Sequence, residues 1–177
     1  MRKAFLVMAA CCMLASPVLA DGGVDLYGSY AKVLSGENSY GIGGRFSLGG
    51  DNWMFDIGAT WYKKVENAEV IDDPDVQTDD FKYAPYDLGL RYFFFDGHKL
   101  RPYVGGGISY VDASSPNLRI NGAFGIYALA GLRYGKQPGI NFMAELIYRW
   151  AELDVRYGLV DSQDVTVGGL GLNVGRS

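Results

Sequence analysis

Cysteine is almost absent from this chain of 177 residues. Its two cysteines, Cys11 and Cys12, both lie within residues 1–20. If that segment is removed on export, the remaining chain has no thiol, no disulfide and no cysteine-based metal site. Stability must then come from packing and from backbone pairing.

Residues 1–20 have the pattern of a secretory signal peptide. Arg2 and Lys3 form a basic start, an apolar run follows, and Ala20 provides a small-residue exit. The run is too short for a transmembrane helix, which needs about 20 apolar residues. Lipoprotein cleavage before Cys11 is disfavoured because the apolar region ahead of it is very short. We therefore predict cleavage after Ala20 and a mature domain over residues 21–177.

Long apolar runs are missing from residues 21–177. A membrane protein without helical spans has to be a closed β-barrel, because only closure satisfies every backbone group in lipid. All 25 glycines and all 13 tyrosines fall in this part of the chain. That composition favours strands and tight turns over helices.

Basic residues are in deficit. Removal of Arg2 and Lys3 leaves 14 basic residues against 20 acidic ones, a formal charge of −6. This balance argues against nucleic acid as a partner.

Histidine occurs once, at His98, within a predicted turn at residues 96–99. A lipid A-modifying hydrolase would need a general base beside its nucleophile near the outer leaflet. We place this turn at the opposite end of the molecule and therefore predict no catalytic site. With one histidine and no mature cysteine, we also predict no cofactor and no histidine- or cysteine-based metal site.

The sequence instead contains repeated two-residue alternation. In INFMAELIYRW, residues 140–150, apolar side chains alternate with Asn141, Glu145 and Arg149, which is the period of a β-strand. The first such segment likewise sets Asp25 opposite Leu26. We predict eight strands, which cover residues 24–34, 39–48, a third from residue 53, 84–94, 101–110, 124–134, 140–150 and 165–174.

One face of these strands is apolar, and the other contains charges. This is typical of an all-β, eight-stranded, antiparallel, up-and-down transmembrane barrel, whereas a soluble lipocalin-like barrel would expose the polar face. The predicted lumenal ion-pair network is Arg45, Asp56, Asp87, Arg91, Arg101, Arg133, Glu145 and Arg149. The predicted membrane-interface aromatics are Trp53, Trp61, Tyr110, Tyr134, Tyr148 and Trp150.

The links between the segments suggest an orientation. Short links follow the second, fourth and sixth segments, whereas residues 65–83, 111–123 and 151–164 form longer ones; short periplasmic turns and long outer loops are typical of outer-membrane barrels. The acidic stretch at residues 66–80 has seven carboxylates and no lysine or arginine. It is interpreted as a solvated loop, with a weak divalent-cation site as the alternative.

The motifs RPYVGGGISY, GLRYG and AELIYRW resemble the outer-membrane β-barrel superfamily of OmpA-like and opacity-type, eight-stranded porin-family proteins. The resemblance implies a Gram-negative outer membrane, contact with its lipid and lipopolysaccharide, and assembly by the barrel insertion machinery. Family members usually end in an aromatic residue, whereas this chain ends LNVGRS.

The sequence is compatible with three functional classes. A structural or surface-interaction barrel with a plugged lumen is favoured, because the interior charges have to pair. A small channel for water or small molecules is the alternative, since inward glycines remove side-chain volume. A lipid A-modifying enzyme ranks third.

Overall fold

The computed structural model describes residues 21–33, 37–50, 52–63, 65–68, 79–95, 97–114, 119–120, 122–135, 140–156 and 163–177. Its strands are β1 (Asp21–Val33), β2 (Glu37–Gly49), β3 (Trp53–Tyr62), β4 (Val65–Ala68), β5 (Asp79–Phe93), β6 (Leu100–Ser114), β7 (Arg119–Ile120), β8 (Ala123–Gly135), β9 (Asn141–Arg156) and β10 (Gln163–Arg176). The predicted segment at residues 1–20 lies outside the described residues.

Eight long strands form a closed antiparallel ring. The order around it is β1, β2, β3, β5, β6, β8, β9 and β10. The last strand pairs with the first, from Leu26 opposite Arg176 to Ala31 opposite Gly171. Each strand of the ring therefore has a neighbour on both sides, and the predicted eight-stranded up-and-down barrel is confirmed.

Strict alternation of exposure explains why these segments form the wall. Along β3, Trp53, Phe55 and Ile57 are exposed, while Met54 and Asp56 between them are buried. Successive side chains of a strand point to opposite faces, and in a closed ring one face is the interior. The outer wall is consequently a continuous apolar surface.

Several strands are longer than the alternation predicts. β5 begins at Asp79 and β9 continues to Arg156, so the predicted long links at residues 65–83 and 151–164 are partly strand. The short strand β4 pairs with β5, and β7 pairs with β9. These extensions were missed because backbone pairing beyond an apolar band needs no alternation of side chains.

The tight connections lie at the end of the barrel opposite to β4 and β7. Between β5 and β6, Phe95 and Gly97 both have positive φ angles, of 55° and 76°. The LNVGRS segment forms the end of β10, and Ser177 exchanges two backbone hydrogen bonds with Asn141, of 2.8 and 3.0 Å.

The barrel interior contains an apolar cluster as well as charges. Its buried members are Met54, Phe93, Tyr103, Tyr127, Leu129 and Ile147.

Candidate functional site

All eight charged residues that the alternation assigns to the interior are buried. None of them is more than 7% exposed. The eight residues are Arg45, Asp56, Asp87, Arg91, Arg101, Arg133, Glu145 and Arg149. Since they come from six different strands, the closed ring directs their side chains into one shared volume.

Arg45 and Glu145 form a two-pronged ion pair. The two guanidinium Nη atoms of Arg45 donate to the carboxylate oxygens of Glu145 at 2.8 and 2.7 Å. Tyr103 Oη and Asn173 Nδ2 also donate to this carboxylate, at 3.1 and 2.9 Å. β2 and β9 are separated by β1 and β10 in the ring, so the pair crosses the lumen. Fork-to-fork geometry of this kind is the strongest form of a charge-assisted hydrogen bond.

Arg91 connects two further carboxylates and is fully buried. It donates to Asp56 through Nε at 2.5 Å and through Nη2 at 2.9 Å. The same Nη2 lies 3.1 Å from Asp25 and 2.7 Å from Ser47 Oγ. Because β5 and β1 are three positions apart in the ring, the Arg91–Asp25 pair is a second link across the lumen.

Asp25 is a charged member of the buried network that the predicted set omitted. Its carboxylate lies 3.1 Å from Arg91, 3.2 Å from Arg133 and 4.0 Å from Arg45. Alternation with the exposed Leu26 was the available signal, and it placed Asp25 on the interior face. Its central position among three arginines depends on how far apart the strands are in the ring, which the sequence does not show.

Asp87 and Arg149 form a separate pair nearer the end that bears β4 and β7. Arg149 Nη2 donates to Asp87 at 2.5 Å, and Ser109 Oγ donates at 2.7 Å. The pair joins β5 to β9, again three positions apart around the ring.

Three arginines surround the buried Phe93 ring near the tight-turn end. The guanidinium carbons of Arg91, Arg101 and Arg133 lie 5.4, 5.0 and 4.7 Å from the ring centroid. An aromatic face attracts a cation at such distances. This ring therefore packs among charges that would otherwise repel one another.

Two interior glycines are covered by tyrosine rings. Tyr27 lies opposite Gly43, and Tyr103 lies opposite Gly131. A Cβ built on either glycine would overlap the ring of its partner. The volume that these glycines release is therefore occupied by tyrosine rather than left open.

Gly131→Val tests this packing. An added side chain would meet Tyr103 Cζ at 2.5 Å and Oη at 2.6 Å, displacing a hydroxyl that donates to Glu145. We expect a loss of about 1–3 kcal/mol in unfolding free energy, measured by urea titration in lipid vesicles. Gly50→Val is the matched control, because a Cβ there meets nothing within 4 Å. Equal losses in both variants would contradict the packing argument.

The six aromatic residues expected at membrane interfaces are all on the exposed outer face. They are Trp53, Trp61, Tyr110, Tyr134, Tyr148 and Trp150. Trp53 and Trp61 lie near opposite ends of β3. Trp53 packs against Tyr92 and Tyr110 against Phe124, with ring centroids 4.9 and 5.2 Å apart.

Other kinds of site have less support in the described part of the chain. No cluster of three metal-ligating side chains occurs among the residues that the structure describes. His98 is exposed and makes an edge contact with Phe95. The side chains of the acidic stretch at residues 66–80 lie outside the described residues. Within the described ranges, no helix is long and apolar enough to cross a membrane.

A closed ring of eight strands with an apolar outer wall and a charged interior is the architecture of an outer-membrane barrel. A family profile described as "Outer membrane protein beta-barrel domain" matches residues 4–177. This protein belongs to that family. No curated protein sequence matches it significantly.

Solved structures agree on the architecture of this outer-membrane barrel. The crystal structure of Neisserial surface protein A (NspA) matches with a TM-score of 0.59 and 19% identity, covering 88% of this chain and 97% of that one. The solid-state NMR structure of the outer membrane protein AlkL in DMPC bilayers matches with a TM-score of 0.58 and 15% identity, covering 92% and 90%. At these identities, the likeness shows the fold alone.

Proposed function

We propose that this barrel has a structural or surface-interaction role in the outer membrane and that its lumen is plugged. The observation that carries the proposal is the set of ion pairs across the interior. Arg45 with Glu145, Arg91 with Asp25, and Arg149 with Asp87 each join strands three positions apart in a ring of eight. Side chains that meet across this distance occupy the lumen between them.

The size of the ring supports the same conclusion. Eight strands enclose an interior that side chains just fill. Opening a path would require separating paired charges that are already removed from bulk water, which costs several kcal/mol for each pair. We infer that the network acts as a rigid filling and that contacts with partners belong to the outer surface.

The lengths of the connections support an orientation in the membrane. We propose that the tight turn containing Phe95 and Gly97 faces the periplasm, and that the end bearing β4 and β7 faces outward. In this orientation Trp53 lies at the periplasmic interface of the outer membrane and Trp61 at its outer interface, where aromatic side chains are favoured. Export through a signal peptide at residues 1–20 and assembly by the barrel insertion machinery are part of the same proposal.

Single-channel recording in planar bilayers tests the plug. We expect the purified barrel to insert without discrete conductance steps, because the interior charges are paired across the lumen. A wide porin in the same bilayers provides the positive control. Conductance steps that disappear in Ala151→Arg, a change at a buried interior position, but persist in Ala151→Ser would show that the lumen conducts and would overturn the plug.

A further inference from the structure

The wall has a break in pairing between β3 and β5. Their register runs from Trp53 opposite Tyr92 to Ala59 opposite Tyr86 and ends there. Pairing along this edge of β5 resumes only with β4, at Val65 opposite Phe81. Pro85 lies inside the unpaired stretch and has no N–H to donate to a neighbouring strand.

A cleft of about 300 Å³ occupies this break. On the outer face it is flanked by the exposed rings of Trp61 and Tyr86, with the small Ala84 between them. It reaches inward to Tyr62 and Tyr83, whose ring centroids lie 5.3 Å apart. These two buried tyrosines close the inner end, so the cleft opens toward the membrane rather than toward the lumen.

Two opposite charges lie at the rim of the cleft. Lys82 and Asp112 both line it, and both are exposed. Among the described residues, neither belongs to an ion pair that would satisfy its charge. Lys82 is therefore available to an anionic group, while Asp112 can accept hydrogen bonds from hydroxyl or amide donors.

We propose that this cleft binds a phosphorylated glycolipid of the outer leaflet. The phosphate pairs with Lys82, a sugar hydroxyl or amide donates to Asp112, and the first part of an acyl chain lies between Trp61 and Tyr86. Phosphatidylglycerol offers only two glycerol hydroxyls to Asp112, whereas a phosphorylated glycolipid presents several hydroxyl and amide donors on a sugar ring beside its phosphate, which favours a sugar headgroup. The proposal rests on the orientation given above, because this end of the barrel must face outward.

Tryptophan fluorescence can report the binding. In the full barrel with Trp53→Phe and Trp150→Phe, Trp61 is the remaining tryptophan and lines the cleft. Detergent-solubilised protein is titrated with bisphosphorylated lipid A, with the same glycolipid lacking phosphate, with phosphatidylglycerol and with inorganic phosphate. We expect tightest binding of the phosphorylated glycolipid and no saturable response to inorganic phosphate.

Matched variants locate the site. Lys82→Gln should weaken binding about fivefold, the size expected for one exposed charge pair. Ala84→Phe, which leaves Trp61 as the single tryptophan, should fill the cleft and weaken binding at least as much. The controls are Lys32→Gln, at an exposed lysine on β1, and Ala128→Phe, at an exposed alanine on a fully paired strand. Neither should change the affinity. Equal effects in the test and control variants, or equal binding of phosphatidylglycerol or phosphate-free glycolipid, would overturn the proposal. The plug proposal is tested separately. It would be overturned if the barrel conducted ions, and none of these cleft variants alters conductance.

Discussion

Replacing Arg91 by leucine is expected to destabilise the barrel by about 3–5 kcal/mol, the usual cost of removing one partner from a buried ion pair. The change removes the cation that both Asp25 and Asp56 contact. Arg133 would still lie 3.2 Å from Asp25, but Asp56 would lose both of its hydrogen bonds from Arg91. Urea unfolding in lipid vesicles, followed by tryptophan fluorescence, measures the loss.

Arg176→Leu is the matched control for this experiment. Arg176 lies on β10 and is exposed, so its removal should change the unfolding free energy by less than about 0.5 kcal/mol. Arg91→Lys should fall between the two, since an ammonium group keeps the charge but loses the planar fork that contacts Asp56. Similar stabilities of Arg91→Leu and Arg176→Leu would refute a structural role for the buried network.

Replacing Glu145 by leucine should produce a loss of similar size. The carboxylate accepts from Arg45, Tyr103 and Asn173, and its removal leaves the Arg45 guanidinium buried without its two-pronged partner. The double variant Glu145→Leu with Arg45→Met should recover much of the stability. Replacing both members of a buried pair by apolar groups is often neutral or stabilising.

The double-mutant cycle separates pairing from packing. A coupling energy of at least about 1 kcal/mol between Glu145 and Arg45 is expected for residues in direct contact. Glu152→Gln on the same strand is the control, because that side chain is exposed. Additive losses in the double variant would mean that the two residues act independently.

The wall of the barrel was predictable because alternation is a local property. In β9, Leu146 and Tyr148 are exposed while Glu145 and Arg149 are buried, as the two-residue period requires. Lipid on one side and an enclosed interior on the other make each position's exposure depend on whether it is odd or even along the strand. The same rule placed all eight predicted charges inside the barrel.

Partner choice within the lumen was not predictable in this way. Asp25 contacts arginines from β2, β5 and β8, strands whose positions relative to β1 are set by ring closure and stagger. The packing of Tyr27 over Gly43 and of Tyr103 over Gly131 depends equally on register. For this reason, Gly43 and Gly131, which suggested open volume in the sequence, lie under tyrosine rings in the structure.

By itself, the sequence predicted the eight strands of the ring, the face that their alternating side chains occupy and, within residues 21–177, the lack of an apolar run long enough for a helical span. These properties follow from a period of two and from the need to pair every backbone group in lipid. Only the tertiary structure decided which charges meet across the lumen, how far β5 and β9 extend, and where pairing between β3 and β5 breaks. Those features depend on distances between strands far apart in the chain, which are set only when β10 closes on β1.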